Sequence, residues 1–136
     1  MATVKVSELK AGTVLDWAVA KAIGQPVKLT MEFASKTDGS QSAGLVCWVP
    51  GARRPFKPST DWAQGGPLLD SNPIVYRHYE DERIEACLMA GSFNTSRRRI
   101  AQQMGTTILE AACKSIVASV FTTVVGIPDE LAGVGE

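Results

Sequence analysis

The chain has 136 residues, a length that favours one domain (1–136) able to bury a core without disulfides or metal. Its 45% hydrophobic and 21% charged side chains exclude a disordered chain, and 14 basic against 14 acidic residues exclude a global basic field for nucleic acid. Residues 1–68 carry 8 basic and 5 acidic side chains and residues 69–136 carry 6 and 9, a mild polarity only.

In chain order, "TVKV" (3–6) is a short β-prone piece. Val14, Leu15, Ala18, Val19 and Ala22 then recur at helical spacing. Thr13 and Asp16 resemble a capping box, and Gly24 and Pro26 give a stop, so the expectation is a helix over 13–23. "VKLTMEFA" (27–34) alternates, with Val27, Leu29, Met31 and Phe33 on one face, as a strand with one wet face does. "SKTDGSQSAG" reads as a polar turn, and "LVCWV" (45–49) as a second strand. Residues 50–73 hold five of the seven prolines, so regular structure there should be sparse. "IVYRHY" (74–79) and "RIEACLMA" (83–90) read as a strand pair across a charged turn, and "GSFNTSRRR" as a loop. Thr107 and Glu110 form a T-x-x-E capping box. Leu109, Ala112, Cys113, Ile116, Val117 and Val120 follow on one face of a helix over 107–121. The tail from Val124 should be extended or frayed. The order predicts an α+β fold, an antiparallel sheet with two helices packed on one face.

Cys47, Cys87 and Cys113 stand far apart among apolar neighbours. With no CxxC pair and a single histidine, His78, no metal site or cofactor is expected. Buried free thiols suit a reducing compartment. The start has no signal-peptide core. No uncharged run exceeds the 14 residues of Ser115–Pro128, short of a membrane span. The expectation is a cytoplasmic protein with no membrane partner.

Three stretches together resemble the NinX-like family of small phage and prophage proteins. The first holds Leu9, Gly12, Leu15, Asp16, Trp17, Ala18, Val19 and Ala20. The second holds Pro58, Ser59, Thr60, Trp62, Gly65, Gly66 and Pro67, and the third Val117, Ala118 and Ser119. The resemblance implies a phage or prophage origin and residence in the bacterial host cytoplasm, and it assigns no catalytic role to any residue. The chain departs from the family pattern at Val120 and Phe121, an apolar pair that leaves homo-oligomerisation open.

The central stretch "PSTDWAQGGPLL" (58–69) is the first candidate site. Ser59 or Thr60 would cap one helical turn that Gly65, Gly66 and Pro67 end, and Trp62 would drop its ring into the core. That reading is structural. The functional one uses the same atoms, with exposed N–H groups, hydroxyls and glycines cradling a ligand, and Asp61 turning the preference from phosphate toward a hydroxyl, an amine or a cation. Asp16 and Trp17 are the second candidate. Asp16 fits a helix-capping acid, and only if it met Asp61 could the two carboxylates do acid–base work in a small enzyme. Third, Arg53, Arg54 and Lys57 with Arg97, Arg98 and Arg99 would form a phosphate patch in a nucleic-acid binder, or else a solvated surface. The leading expectation is a non-enzymatic module that binds a host or phage protein through the 53–67 region.

Overall fold

The computed structural model describes residues 2–35, 41–90 and 98–131. Helix α1 (Thr13–Ile23) and helix α3 (Ile108–Phe121) fall where the apolar spacing places them. A further helix, α2, covers Trp62–Ser71 inside the proline-rich segment. Strand β1 (Ala2–Lys5) pairs antiparallel with β7 (Val124–Ile127), so the tail is tied back to the start of the chain. Strands β2 (Lys28–Ser35) and β3 (Gln41–Trp48) form a hairpin, and β4 (Ile74–His78), β5 (Ile84–Ala90) and β6 (Arg98–Gly105) a three-stranded sheet in the order β4-β5-β6.

The class is therefore α+β with antiparallel pairing, as expected. Its arrangement is finer than one sheet carrying two helices. Helix α3 lies against β5 and β6, while α1 packs on α3 and on β3 rather than beside α3 on the sheet. The cause is α3 itself, buried without a break from Leu109 to Ala118, polar residues included. Ala111, Ala112, Cys113 and Ala118 are small enough to let neighbours approach from several sides, and a helix that is apolar nearly all round belongs in the centre. Its Ser115 hydroxyl is silenced by donating to the Ala86 carbonyl at 2.7 Å. The core joins α1 and α3 through Leu15, Val19, Cys113 and Val117, and closes over Val125, Ile127 and Leu131 of the returning tail.

Several local expectations change. Ser35 and residues 41–44, read as turn, belong to β2 and β3, and residues 98–99, read as loop, belong to β6; residues 36–40 and 91–97 lie outside the described residues. The alternation of β2 does not make a single buried face, since Leu29 packs on the core but Met31 is 50% exposed. Phe121 packs partly against the core, which leaves Val120 as the exposed half of the apolar pair. The β4–β5 connection is tight. Tyr79 N–H donates to the Arg83 carbonyl at 2.9 Å, and Glu82 takes a positive φ of 68°. Cys47, Cys87 and Cys113 are all buried, and His78 is exposed, both as the sequence suggests.

Candidate functional site

The site begins with Gly12. Its φ of 144° and ψ of −165° lie in a region open to glycine almost alone. This conformation, not a Thr13 side chain, starts α1. Thr13 instead donates its hydroxyl to the Leu45 carbonyl at 2.6 Å, anchoring the β2–β3 hairpin. The Gly12 N–H donates to Ser59 Oγ at 2.9 Å, and the Ser59 N–H donates to Asp16 Oδ1 at 2.9 Å. Two of the expected site residues, Asp16 and Ser59, are thereby joined across 43 positions of chain, both at 2% exposure or less.

Asp16 does not cap its own helix. It lies in the protein interior and receives the backbone of the central loop. Burial pushes its carboxyl up to about 6, against the pull of the Ser59 hydrogen bonds and the Lys57 charge. The adjoining Cys47 and Cys113 thiols are pushed up to about 12 by burial and by the Asp16 charge, which makes them poor nucleophiles.

Pro58 and Ser59, both fully buried, carry the chain into α2. The cap is Asp61, not Ser59 or Thr60: its Oδ1 accepts from Ala63 N–H at 3.0 Å. Gln64 completes the brace. Its Oε1 accepts from Lys57 N–H at 3.0 Å, and its Nε2 donates to the Pro55 carbonyl at 2.7 Å and to Asp61 Oδ2 at 3.2 Å. Gly65, Gly66 and Pro67 do not end the helix but lie inside it. Gly65 is there for close approach. A Cβ at this position would press on the Pro58 carbonyl and stand 2.6 Å from Leu109 Cδ2. Gly66 meets nothing within 4 Å, so its space requirement is different; it is the residue that must stay helical before a proline.

Trp62 does not enter the core. As the first residue of α2 it is 57% exposed. The segment is pinned by Asp16–Ser59, by Gly65 and by Gln64, and the indole is what the pinned segment displays. Arg53 and Arg54 are exposed on the preceding turn, which Trp48 fixes by donating its Nε1–H to the Ala52 carbonyl at 3.0 Å. Lys57 and Asp61 are partly buried, and Thr60 is exposed. Trp17 is half-buried with Lys21 Nζ 4.5 Å from its ring centre. Arg97 lies outside the described residues, and Arg98 and Arg99 belong to β6. No described hydrogen bond joins Asp16 to Asp61, each being held by its own main-chain donor.

A second concavity lies elsewhere. A cleft of about 1040 Å³ is bounded by β1, the segment from Ser7 to Val14, and the β6–α3 junction. None of Asp16, Trp17 or the residues of the 53–67 region lines it; Lys10, Arg83, Glu110 and Lys114 do. The sequence reading missed these. Its available signal was Glu110 and Lys114, two charges one turn apart on a helix that is otherwise apolar. Among the described residues no group of three or more metal-ligating side chains occurs.

An α+β module with a Gly12–Asp16–Ser59 lock and a displayed tryptophan is the class these observations define. The family described as "Bacteriophage P22, NinX" matches residues 5–120, and the chain belongs to that family. No curated protein matches the chain. No helix among the described residues is long and apolar enough to cross a membrane.

Proposed function

We propose that this phage-family protein is a non-enzymatic binding module of the host cytoplasm. It engages a host or phage protein through the exposed Trp62, with the exposed Arg53–Arg54 turn of the same 53–67 region. The observation that carries this reading is a tryptophan 57% exposed at the first residue of a helix whose backbone is locked from three sides. A large aromatic presented in a fixed pose loses little entropy on binding and is the commonest kind of interface anchor. The Cys47 thiol, pushed up to about 12 by burial and the Asp16 charge, is a poor nucleophile, which supports a binding role over a thiol-based reaction.

The test is affinity capture from phage-infected host lysate with wild type and Trp62→Ala side by side, followed by titration of the purified retained protein. A partner held by wild type, lost by the variant and bound again in the purified system is the expected result. Identical retention by both proteins would remove Trp62 from the interface. A second reading, nucleic-acid binding, is favoured by the exposure of both Arg53 and Arg54. Its mark is DNA or RNA affinity that falls steeply with salt and weakens in the Arg53→Gln/Arg54→Gln variant.

A further inference from the structure

Lys114 sits on α3 at 5% exposure. Its Nζ donates to the Ser7 carbonyl at 2.9 Å and to the Met104 carbonyl at 2.7 Å, bridging the N-terminal segment to the end of β6. An ammonium has three N–H donors, and these two carbonyls take two of them. Among the described residues, no carboxylate lies within 4 Å of Nζ. A buried charge without a partner ion is costly unless something supplies the opposite charge.

The obvious internal candidate is already engaged. Glu110, one turn earlier, accepts from Ala11 N–H at 2.7 Å through Oε2, and from Thr106 N–H at 2.8 Å through Oε1. Burial lowers the Lys114 pKa and the Glu110 charge raises it, so Glu110 offsets part of the cost of burial without a direct ion pair; the third N–H of Lys114 stays open at the wall of the 1040 Å³ cleft, with Lys10 and Arg83 also on the lining. The rest of the wall includes Val4, Leu9, Met104 and Ile127. Such a cavity, mainly apolar with a few convergent polar groups, has the make-up of a small-ligand site.

We propose that this cleft binds a small amphipathic monoanion, an acyl chain ending in a carboxylate, with the carboxylate at Lys114 and the chain along Val4, Leu9 and Ile127. One negative charge is specified over two because Glu8 and Glu110 line the same cleft and repel a phosphate dianion more strongly than a carboxylate, against the attraction of Lys114, Lys10 and Arg83. Arg83 stands at the rim. Its Nε–H donates to Asp81 Oδ2 at 2.6 Å, and the guanidinium lies 5.5 Å from the Tyr79 ring centre, so it tunes the field at the mouth rather than seating the ligand. The site is independent of the Trp62 face, and its failure would leave that proposal untouched.

The experiment is an amide-resolved NMR titration of the full chain with sodium octanoate, 1-octanol and octyl phosphate. Octanoate should give saturable shifts at Leu9–Gly12 and at Gly105–Thr106. Octanol should bind at least about ten-fold more weakly, as expected when a charge-assisted hydrogen bond is lost, and octyl phosphate should also bind more weakly. Lys114→Met should abolish the octanoate preference. Because that variant also removes two main-chain bridges, Arg83→Gln on the exposed rim serves as the second variant, with an expected loss of about two- to three-fold from the weaker field. Octanol binding as tightly as octanoate overturns the proposal. So do shifts confined to residues outside the cleft, or no saturable change up to about 10 mM octanoate, since ligand efficiencies for so small a molecule predict binding by then.

Discussion

Gly65 offers the sharpest test of how the central segment is held. In Gly65→Ala the new methyl group presses on the Pro58 carbonyl, which is backbone, and stands 2.6 Å from Leu109 Cδ2. Carbon atoms rest comfortably at about 3.5–4.0 Å, so helix α2 or its neighbours must move by roughly 1 Å. Both neighbours are confined, Pro58 fully buried and Leu109 at 3% exposure. Overpacking of this kind costs about 1–3 kcal/mol, and alanine returns about 0.5–1 kcal/mol through its better helix propensity. The net loss should be about 1–2 kcal/mol. With an unfolding entropy of roughly 2.1 cal/mol/K per residue, 136 residues give roughly 0.3 kcal/mol per degree, so Tm should fall by roughly 3–7 °C. The neighbouring Gly66→Ala meets no atom within 4 Å. Its helix-propensity gain is opposed by crowding against Pro67, so the expected change is within about 0.5 kcal/mol. Thermal and urea unfolding of the two variants, read by circular dichroism, compare them directly. Equal stability of Gly65→Ala and wild type would refute the close packing of α2 on Pro58 and Leu109.

Two further outcomes follow from the same coordinates. Thr122 holds φ 61° and ψ −84°, and the next amide, Thr123 N–H, donates to the Phe121 carbonyl at 2.9 Å. This is a γ-turn in its strained form, occupied by a β-branched residue, so Thr122→Gly should raise stability by about 1 kcal/mol in chemical denaturation, and a loss would refute the strain. Asp16 rises from 3.8 to about 6 on folding, so the folded protein keeps a proton that the unfolded chain has released. Its contribution to stability is full below 3.8 and is lost as pH rises through about 6. Unfolding free energies measured across that window should decline with pH in wild type and show a flatter profile in Asp16→Asn; parallel profiles would refute the buried carboxyl.

Much of the candidate region was written locally. Helix α1 ends and α3 begins where Gly24 and the Thr107–Glu110 pair place them, because stops and caps depend on residues within one turn. Gly12 and Asp16 were read as positions of one motif and Ser59 of another, and the structure joins the three through hydrogen bonds that neither motif shows. Capping was inferred for Asp16 from its place in the first turn, and nothing in sequence says that Ser59 comes to meet it 43 positions later. The structural reading of the 58–69 turn put Trp62 in the core. It is outside because the Asp61 cap and Gly65 packing fix the phase of α2, and the first residue of that helix falls on the solvent side. Gly65, Gly66 and Pro67 read as a helix end because local punctuation is all a sequence displays. The helix continues through them because Gly65 fits tightly against Pro58 and Leu109 and Leu68 reaches the core.

The sequence by itself determined the α+β class, two of the three helices, the β4–β5 hairpin and the burial of the cysteines, all of which follow from periodicity and short-range caps. Only the tertiary structure decided that the tail returns to pair with the first strand and that α3 runs through the centre. It also decided that Lys114 faces a cleft and that the tryptophan is displayed. These depend on contacts between residues far apart in the chain, whose geometry is set by the packing of whole elements and leaves no periodic trace in either partner alone.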